Sequence, residues 1–255
     1  MKKIFIFCII VMMFTLVGCT DVGNSENVGV NENVVFSDVY TNISNATFTP
    51  LEPIGEIPDY ITIDGQQFST ALTELDLYAL NVTNKDIELL QYMTKLERLM
   101  LFSFLDSDLT PLTNIPSLVS LTLSGTPNDI TPLSDLVNLE SLFWEHNWAD
   151  DLTPLSSLTN LRRLTLEIPE VRDLSPLSEL VSLEDLFFAG HQIEDLTPLS
   201  TLQNLTSLTI LSDNLTDITP LRYLENLRYL DLRGSHQVDD TSAVEHVENV
   251  FIFVR

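Results

Sequence analysis

The sequence predicts an α/β repeat solenoid, with a parallel sheet on its concave face and short helical or 3-10 turns on its convex face. Three observations carry this. A Leu-x-x-Leu-x-Leu pattern returns eight times, a Thr/Ser-Pro-Leu tripeptide returns between its copies, and the copies keep a spacing close to 22 residues.

The pattern begins at Leu72, Leu96, Leu118, Leu139, Leu161, Leu183, Leu205 and Leu227, at intervals of 24, 22, 21, 22, 22, 22 and 22 residues. A degenerate ninth copy runs over 247–252. Residues two apart in a strand share a face, so each Leu-x-Leu sends its leucines inward and its middle residue outward. One coil of this length cannot bury its own leucines, and stacked neighbours bury them instead. Trp144, Phe188 and Ile210 occupy the second inward position of Leu-x-Leu in their copies and read as core.

The second ladder is Pro111, Pro132, Pro154, Pro176, Pro198 and Pro220, each after Thr or Ser and before Leu. Thr or Ser caps a helical turn, and proline suits its first position because its missing N–H would have had no partner there. Short convex turns are therefore expected to begin at these prolines.

Repeats such as Asp151-Leu152-Thr153-Pro154-Leu155-Ser156-Ser157-Leu158-Thr159-Asn160-Leu161 resemble the 22-residue repeats of internalin-type leucine-rich-repeat proteins over about residues 75–250. The resemblance implies a right-handed, curved leucine-rich-repeat horseshoe whose concave face binds proteins. It is not complete. The family's turn asparagine, five residues after the second leucine, is replaced by Leu80, Phe104, Thr126, Pro169, His191, Asp213 and Ser235, and only Asn147 keeps it.

Ahead of the repeats the chain changes character. Lys2 and Lys3 precede the apolar stretch Ile4 to Val17, too short to span a bilayer as a helix and right for the core of a secretory signal. Leu16-Val17-Gly18-Cys19 resembles the bacterial lipobox, which implies cleavage before Cys19 and its lipidation. The expected organisation is a lipoprotein signal peptide over 1–18, a flexible tether over 19–53, an N-terminal cap over 54–74, repeats over 75–249 and an edge strand over 250–255. The tether has no Lys or Arg and no sustained period. Export to the outer face of a bacterial membrane, held there by lipidated Cys19 alone, follows from this reading. Cys8 leaves with the signal, so Cys19 has no partner for an intrachain disulfide.

Without the signal, ten basic residues face 37 acidic ones, a net charge of −27. Such a field repels nucleic acid and anionic headgroups and favours cationic partners. Catalysis needs a nucleophile beside a base, or a paired acid and base. His146, His191, His236 and His246 fall in no such motif and no phosphate-cradling glycine loop is present, so neither an enzyme nor a cofactor is expected. Asp108, Asp129, Asp151, Asp173, Asp195 and Asp217 stand just ahead of the ladder prolines. The preferred reading is that each carboxylate bonds N–H groups of its own turn. The competing reading is a strip of hard ligands for calcium.

The outward strand positions form the expected binding face. One column reads Asp76, Met100, Thr122, Phe143, Thr165, Phe187, Thr209 and Asp231, and the next Tyr78, Phe102, Ser124, Glu145, Glu167, Ala189, Leu211 and Arg233. Exposed, grouped apolar residues mark an interaction site, although β-propensity alone also places aromatics on strands. The expected binding residues are Met100, Phe102, Phe143 and Phe187, with Glu145 and Glu167 beside them and His146 and Trp148 at the rim. They favour a protein or peptide ligand, partly basic. The alternative is a structural, self-associating envelope protein without a soluble ligand. A weak homodimer through the C-terminal edge is also expected, with Val250 and Ile252 inward and Phe251 and Phe253 outward.

Overall fold

The computed structural model describes residues 56–105, 108–127, 129–145, 149–167 and 169–252. The signal, the tether and Cys19 lie outside them, as do His146, Trp148 and Phe253.

The described chain opens with a hairpin, β1 (Tyr60–Ile63) and β2 (Gln66–Ser69), joined by Asp64-Gly65. Both loop residues have positive φ, at 49° and 75°. That backbone matches the twist of the flanking strands, and Asp-Gly adopts it readily. Ile61 and Ile63 on β1 are buried under the first coils.

Next come β3 (Glu74–Asp76) and one α-helix, α1 (Asn84–Leu90). The Asp86 carboxylate accepts both the Thr83 N–H at 2.8 Å and the Thr83 hydroxyl at 2.6 Å, closing the start of α1. Ile87 and Leu90 turn its buried side inward.

The repeats supply β4 (Arg98–Leu105), β5 (Ser120–Thr126), β6 (Ser141–Glu145), β7 (Arg163–Glu167), β8 (Asp185–Ala189), β9 (Ser207–Leu211), β10 (Tyr229–Leu232) and β11 (Asn249–Ile252). Among the described residues, β3 to β11 form one parallel sheet of nine strands in sequential order. The register runs without slippage through Leu75, Leu99, Leu121, Leu142, Leu164, Leu186, Leu208, Leu230 and Val250. All of these leucines are buried. A one-residue slip would turn every one of them out, which fixes the pairing.

The convex side is made of 3-10 turns, at Thr110–Asn114, Thr131–Asp135, Thr153–Leu155, Ser175–Glu179, Thr197–Thr201 and Thr219–Tyr223. In one coil the buried leucines are Leu152, Leu155, Leu158, Leu161, Leu164 and Leu166. Their spacing is three until the strand and two within it. Three residues per turn is the 3-10 period and two is the strand period. The leucine spacing therefore dictates both elements and turns every leucine to one interior.

The turns differ from the sequence expectation in one respect. They begin one residue before the proline, and the Thr or Ser is their first residue, not their cap. The cap position is a Leu or Ile, and the aspartate before it takes up the first N–H of the turn. Asp108, Asp129, Asp151, Asp173, Asp195 and Asp217 each accept the N–H two residues on, at 2.8 Å. Asp240 does the same for Ser242 at 2.9 Å, starting a further turn at Ser242–Val244 that has no proline.

Among the described residues no turn-asparagine ladder spans the strand exits, but another ladder stands at the strand entries. Asn138, Asn160, Asn204 and Asn226 each precede the first leucine of a repeat. Their side-chain amides donate to Pro116 O, Val137 O, Val181 O and Gln203 O at 2.8–2.9 Å. In the preceding coil Ser117 takes the same role, bonding Thr94 O and Leu96 O, and the His246 ring lies 3.0 Å from Leu224 O at the far end.

Candidate interaction face

The sheet register builds the outward face. Asp76, Met100, Thr122, Phe143, Thr165, Phe187, Thr209, Asp231 and Phe251 lie side by side, one per strand. Adjacent strands are about 4.8 Å apart, so Phe143 and Phe187 stand roughly 10 Å apart with Thr165 between them. Met100 is 38% exposed, and Phe143 and Phe187 are half-buried. The expected apolar column is thus assembled on one face.

Two members of the expected site are not available as exposed groups. Phe102 is only 5% exposed. The Tyr78 ring covers it edge-on, with centroids 4.7 Å apart, and Tyr78 is itself 62% exposed. Tyr78 therefore presents the aromatic surface that the sequence assigned to Phe102. Glu145 is 8% exposed and is engaged within the protein, so it is no acidic rim. Glu167 is half-buried and likewise not free. His146 and Trp148 fall outside the described residues.

The reason lies in the local backbone. The pairing of β4 with β5 shifts between Phe102 and Phe104, and Gly125 has φ 146°. The inward Trp144 is fully buried, and its indole N–H donates to Gly125 O at 3.1 Å. A β-bulge re-aims the side chains around it. A spacing of two does not reveal a bulge, so the uniform outward column could not foretell the burial of Phe102.

A further cluster at the C-terminal end of the face was not singled out by the sequence. Asp231 is buried, and Arg233 grips it through Nε at 3.0 Å, Nη2 at 2.6 Å and the backbone N–H at 3.0 Å. Burial works to raise the Asp231 pKa, but the Arg233 hydrogen bonds and charge outweigh it and hold the carboxyl below its ordinary value. The guanidinium carbon stands 5.7 Å from the centre of the Phe251 ring, and Tyr229 packs on the same ring at 5.5 Å. The shared outward columns were the available signal, since 229, 231 and 233 alternate with Leu230 and Leu232.

The remaining polar surface is distributed by charge pairing. Arg98 bonds Glu74, Arg162 reaches Glu184 at 2.6 Å, and His191 lies 3.0 Å from Asp213. A shallow groove of about 400 Å³ follows the strand entries past Pro116, Asn138, Asn160 and Arg162. On the convex side, hydrogen bonds from the Thr153, Ser175 and Thr219 hydroxyls and N–H groups lower the pKa of Asp151, Asp173 and Asp217. Among the described residues, no three His, Cys, Asp or Glu side chains come together as a metal site, and no helix is long and apolar enough to cross a membrane.

Sequential parallel strands closed by 3-10 turns, with leucines filling every coil, define a leucine-rich-repeat solenoid. Its repeats are of the internalin type. An internalin C2 of Listeria monocytogenes is 29% identical, with a TM-score of 0.59 over 74% of this chain and 85% of that one. An internalin (inlF) from the same organism is 22% identical, with a TM-score of 0.50 over 74% and 69%. The Arabidopsis receptor kinase HAESA, in complex with the peptide hormone IDA and the co-receptor SERK1, shares the fold at 18% identity and a TM-score of 0.50, over 59% of this chain and 28% of that one. No protein-family model matches the sequence, and no curated protein does.

Proposed function

We propose that the chain is a surface-tethered module that binds a protein or peptide across the concave face of its repeat sheet. One observation carries the reading: a single outward column holds Met100, Phe143 and Phe187 with Thr122 and Thr165 between them. Large side chains separated by small ones leave notches that partner side chains fill, the usual anatomy of a binding hot spot. Tyr78 extends the apolar surface beyond Met100, in place of Phe102. The chain carries a net charge of −25, so a partner with basic residues around an apolar centre fits best. The receptor kinase HAESA, of related fold, is in complex with a peptide hormone, which accords with this use of the architecture.

The test is direct. Partners captured by the wild-type chain from envelope or host extracts are re-measured against Phe143→Ala/Phe187→Ala. Binding should weaken by about 2 kcal/mol or more in total, with unchanged circular dichroism. A folded double variant with wild-type affinity for every captured partner places the binding surface elsewhere.

The anchor belongs to the same reading. Cys19→Ser removes the thiol that lipobox proteins acylate, so the variant should take up no lipid precursor and leave the membrane fraction. Labelling as strong as wild type refutes the anchor.

A further inference from the structure

The two ends of the repeat sheet are finished differently. At the N-terminal end, β3 carries Glu74 and Asp76, and the β1–β2 hairpin buries Ile61 and Ile63 on the first coils. Charged residues on an edge strand discourage pairing with another chain. At the other end, β11 reads Asn249-Val250-Phe251-Ile252, without a charge, in a chain of net charge −25. Its neighbour among the described strands is β10 alone.

The side chains repeat this contrast. Val250 continues the inward column of Leu164, Leu186, Leu208 and Leu230, each no more than 1% exposed, yet Val250 is 38% exposed. Phe251, next to it on the outward face, is 43% exposed. An apolar core column and an apolar outward column therefore end together at the last described strand.

The backbone of that edge is directional. The Asn249 N–H donates to Arg228 O at 3.0 Å, toward β10. In a parallel ladder alternate residues bond to opposite sides, so Val250 and Ile252 aim their N–H and C=O groups away from β10. Such outward-aimed groups are a template on which a further strand can pair.

We propose that β11 is a self-association edge, at which two copies of this chain join C-terminal end to C-terminal end about a two-fold axis. A second copy fits better than a single added strand. A lone strand would satisfy the backbone but leave its own inward side chains at the end of the stack. A second solenoid brings a complete coil, so the two open cores cover each other. The two-fold makes the pairing antiparallel, and directly opposed residues then share a face. Concave stays with concave only if inward residues oppose inward ones. Val250 opposite Ile252 of the second copy meets that condition, uses the outward-aimed backbone groups of both, and sets Phe251 against its own counterpart on the axis.

Sedimentation of the purified full chain in density-matched detergent tests this. The wild type should show a monomer–dimer equilibrium. Val250→Asp should raise the dimer dissociation constant at least tenfold and Phe251→Lys similarly, with unchanged circular dichroism, while Asp76→Asn at the opposite edge leaves it unchanged. In a Cys8→Ser/Cys19→Ser background, Phe251→Cys should form a disulfide-linked dimer on oxidation, because opposed residues at such a pair lie at disulfide distance. Asn249→Cys should not. A chain that stays monomeric at every concentration overturns the proposal. So does a dimer indifferent to Val250→Asp and Phe251→Lys. Asn249→Cys dimers forming as readily as Phe251→Cys dimers overturn the register.

Discussion

Asp151 and Asp173 show how much one side chain decides in this molecule. Each repeats the same bond to the N–H two residues ahead, and each has its pKa lowered by the hydroxyl and N–H of the following Thr or Ser. A folded-state pKa below the unfolded value contributes stability that is present above the unfolded value, about 3.9, and is lost as pH falls through the folded one. Thermal melts of the wild type should therefore lose stability on acidification below about pH 4. Asp151→Asn/Asp173→Asn keeps an acceptor oxygen in each turn but cannot titrate, so its acid loss should be smaller. Equal acid limbs for both proteins would show that these bonds do not contribute through charge. Gly125 makes a second residue-scale case, because its φ of 146° is one that other residues rarely adopt. Gly125→Ala should cost about 1–3 kcal/mol in denaturant melts, and an unchanged melt would mean that the strand relaxes freely.

The coil is the element that matters, and its leucines do not contribute equally along the stack. Leu164 is flanked by Leu142 and Leu186, and all three are buried. Its truncation leaves a cavity between packed neighbours, and Leu164→Ala should cost about 2–5 kcal/mol. Val250 occupies the same column on the last described strand, and Val250→Ala should cost under about 1 kcal/mol, since much of its apolar surface is already exposed. Urea titrations of the two variants separate these outcomes, and equal losses would mean that the end coil is as covered as the middle. The proline turns, the aspartates ahead of them and the entry asparagines are coil-scale features too. Each is written once per repeat and stacks on its copy in the next. The Thr/Ser-Pro step was legible because its chemistry is local. The entry asparagines were present in the sequence at 138, 160, 204 and 226, but the carbonyls they bond belong to the previous coil.

At the scale of the whole molecule, charge opposes compaction. The chain carries 37 acidic and 12 basic residues, and several of the basic ones are committed to local pairs, such as Arg162 with Glu184 and Arg233 with Asp231. Self-repulsion among the remaining acids destabilises the folded state and is screened by salt, with a Debye length of about 8 Å at physiological ionic strength. Raising sodium chloride from low to physiological concentration should therefore increase the melting temperature, even though it weakens the exposed pairs. A melting temperature that falls with salt would show that the pairs outweigh the repulsion. The same screening should strengthen the end-to-end dimer, because like-charged copies approach more easily.

The sequence by itself determined the repeat, the strand in each copy, the convex turns and the outward column from Asp76 to Asp231. These follow from periods of 22, three and two residues, and periodicity is a property of the chain alone. It also marked the aspartates, whose hydrogen bonds reach only two residues. What periodicity could not decide is how a nominally outward side chain is covered. Phe102 is buried because Tyr78, 24 residues earlier, lies edge-on against it beside a bulge in the β4–β5 pairing. Val250 is exposed although its column is otherwise core, because its neighbour on one side is missing from the described sheet. In both cases burial depends on what stands in the adjacent coil, and adjacency between coils is set only when the solenoid closes its leucines against one another.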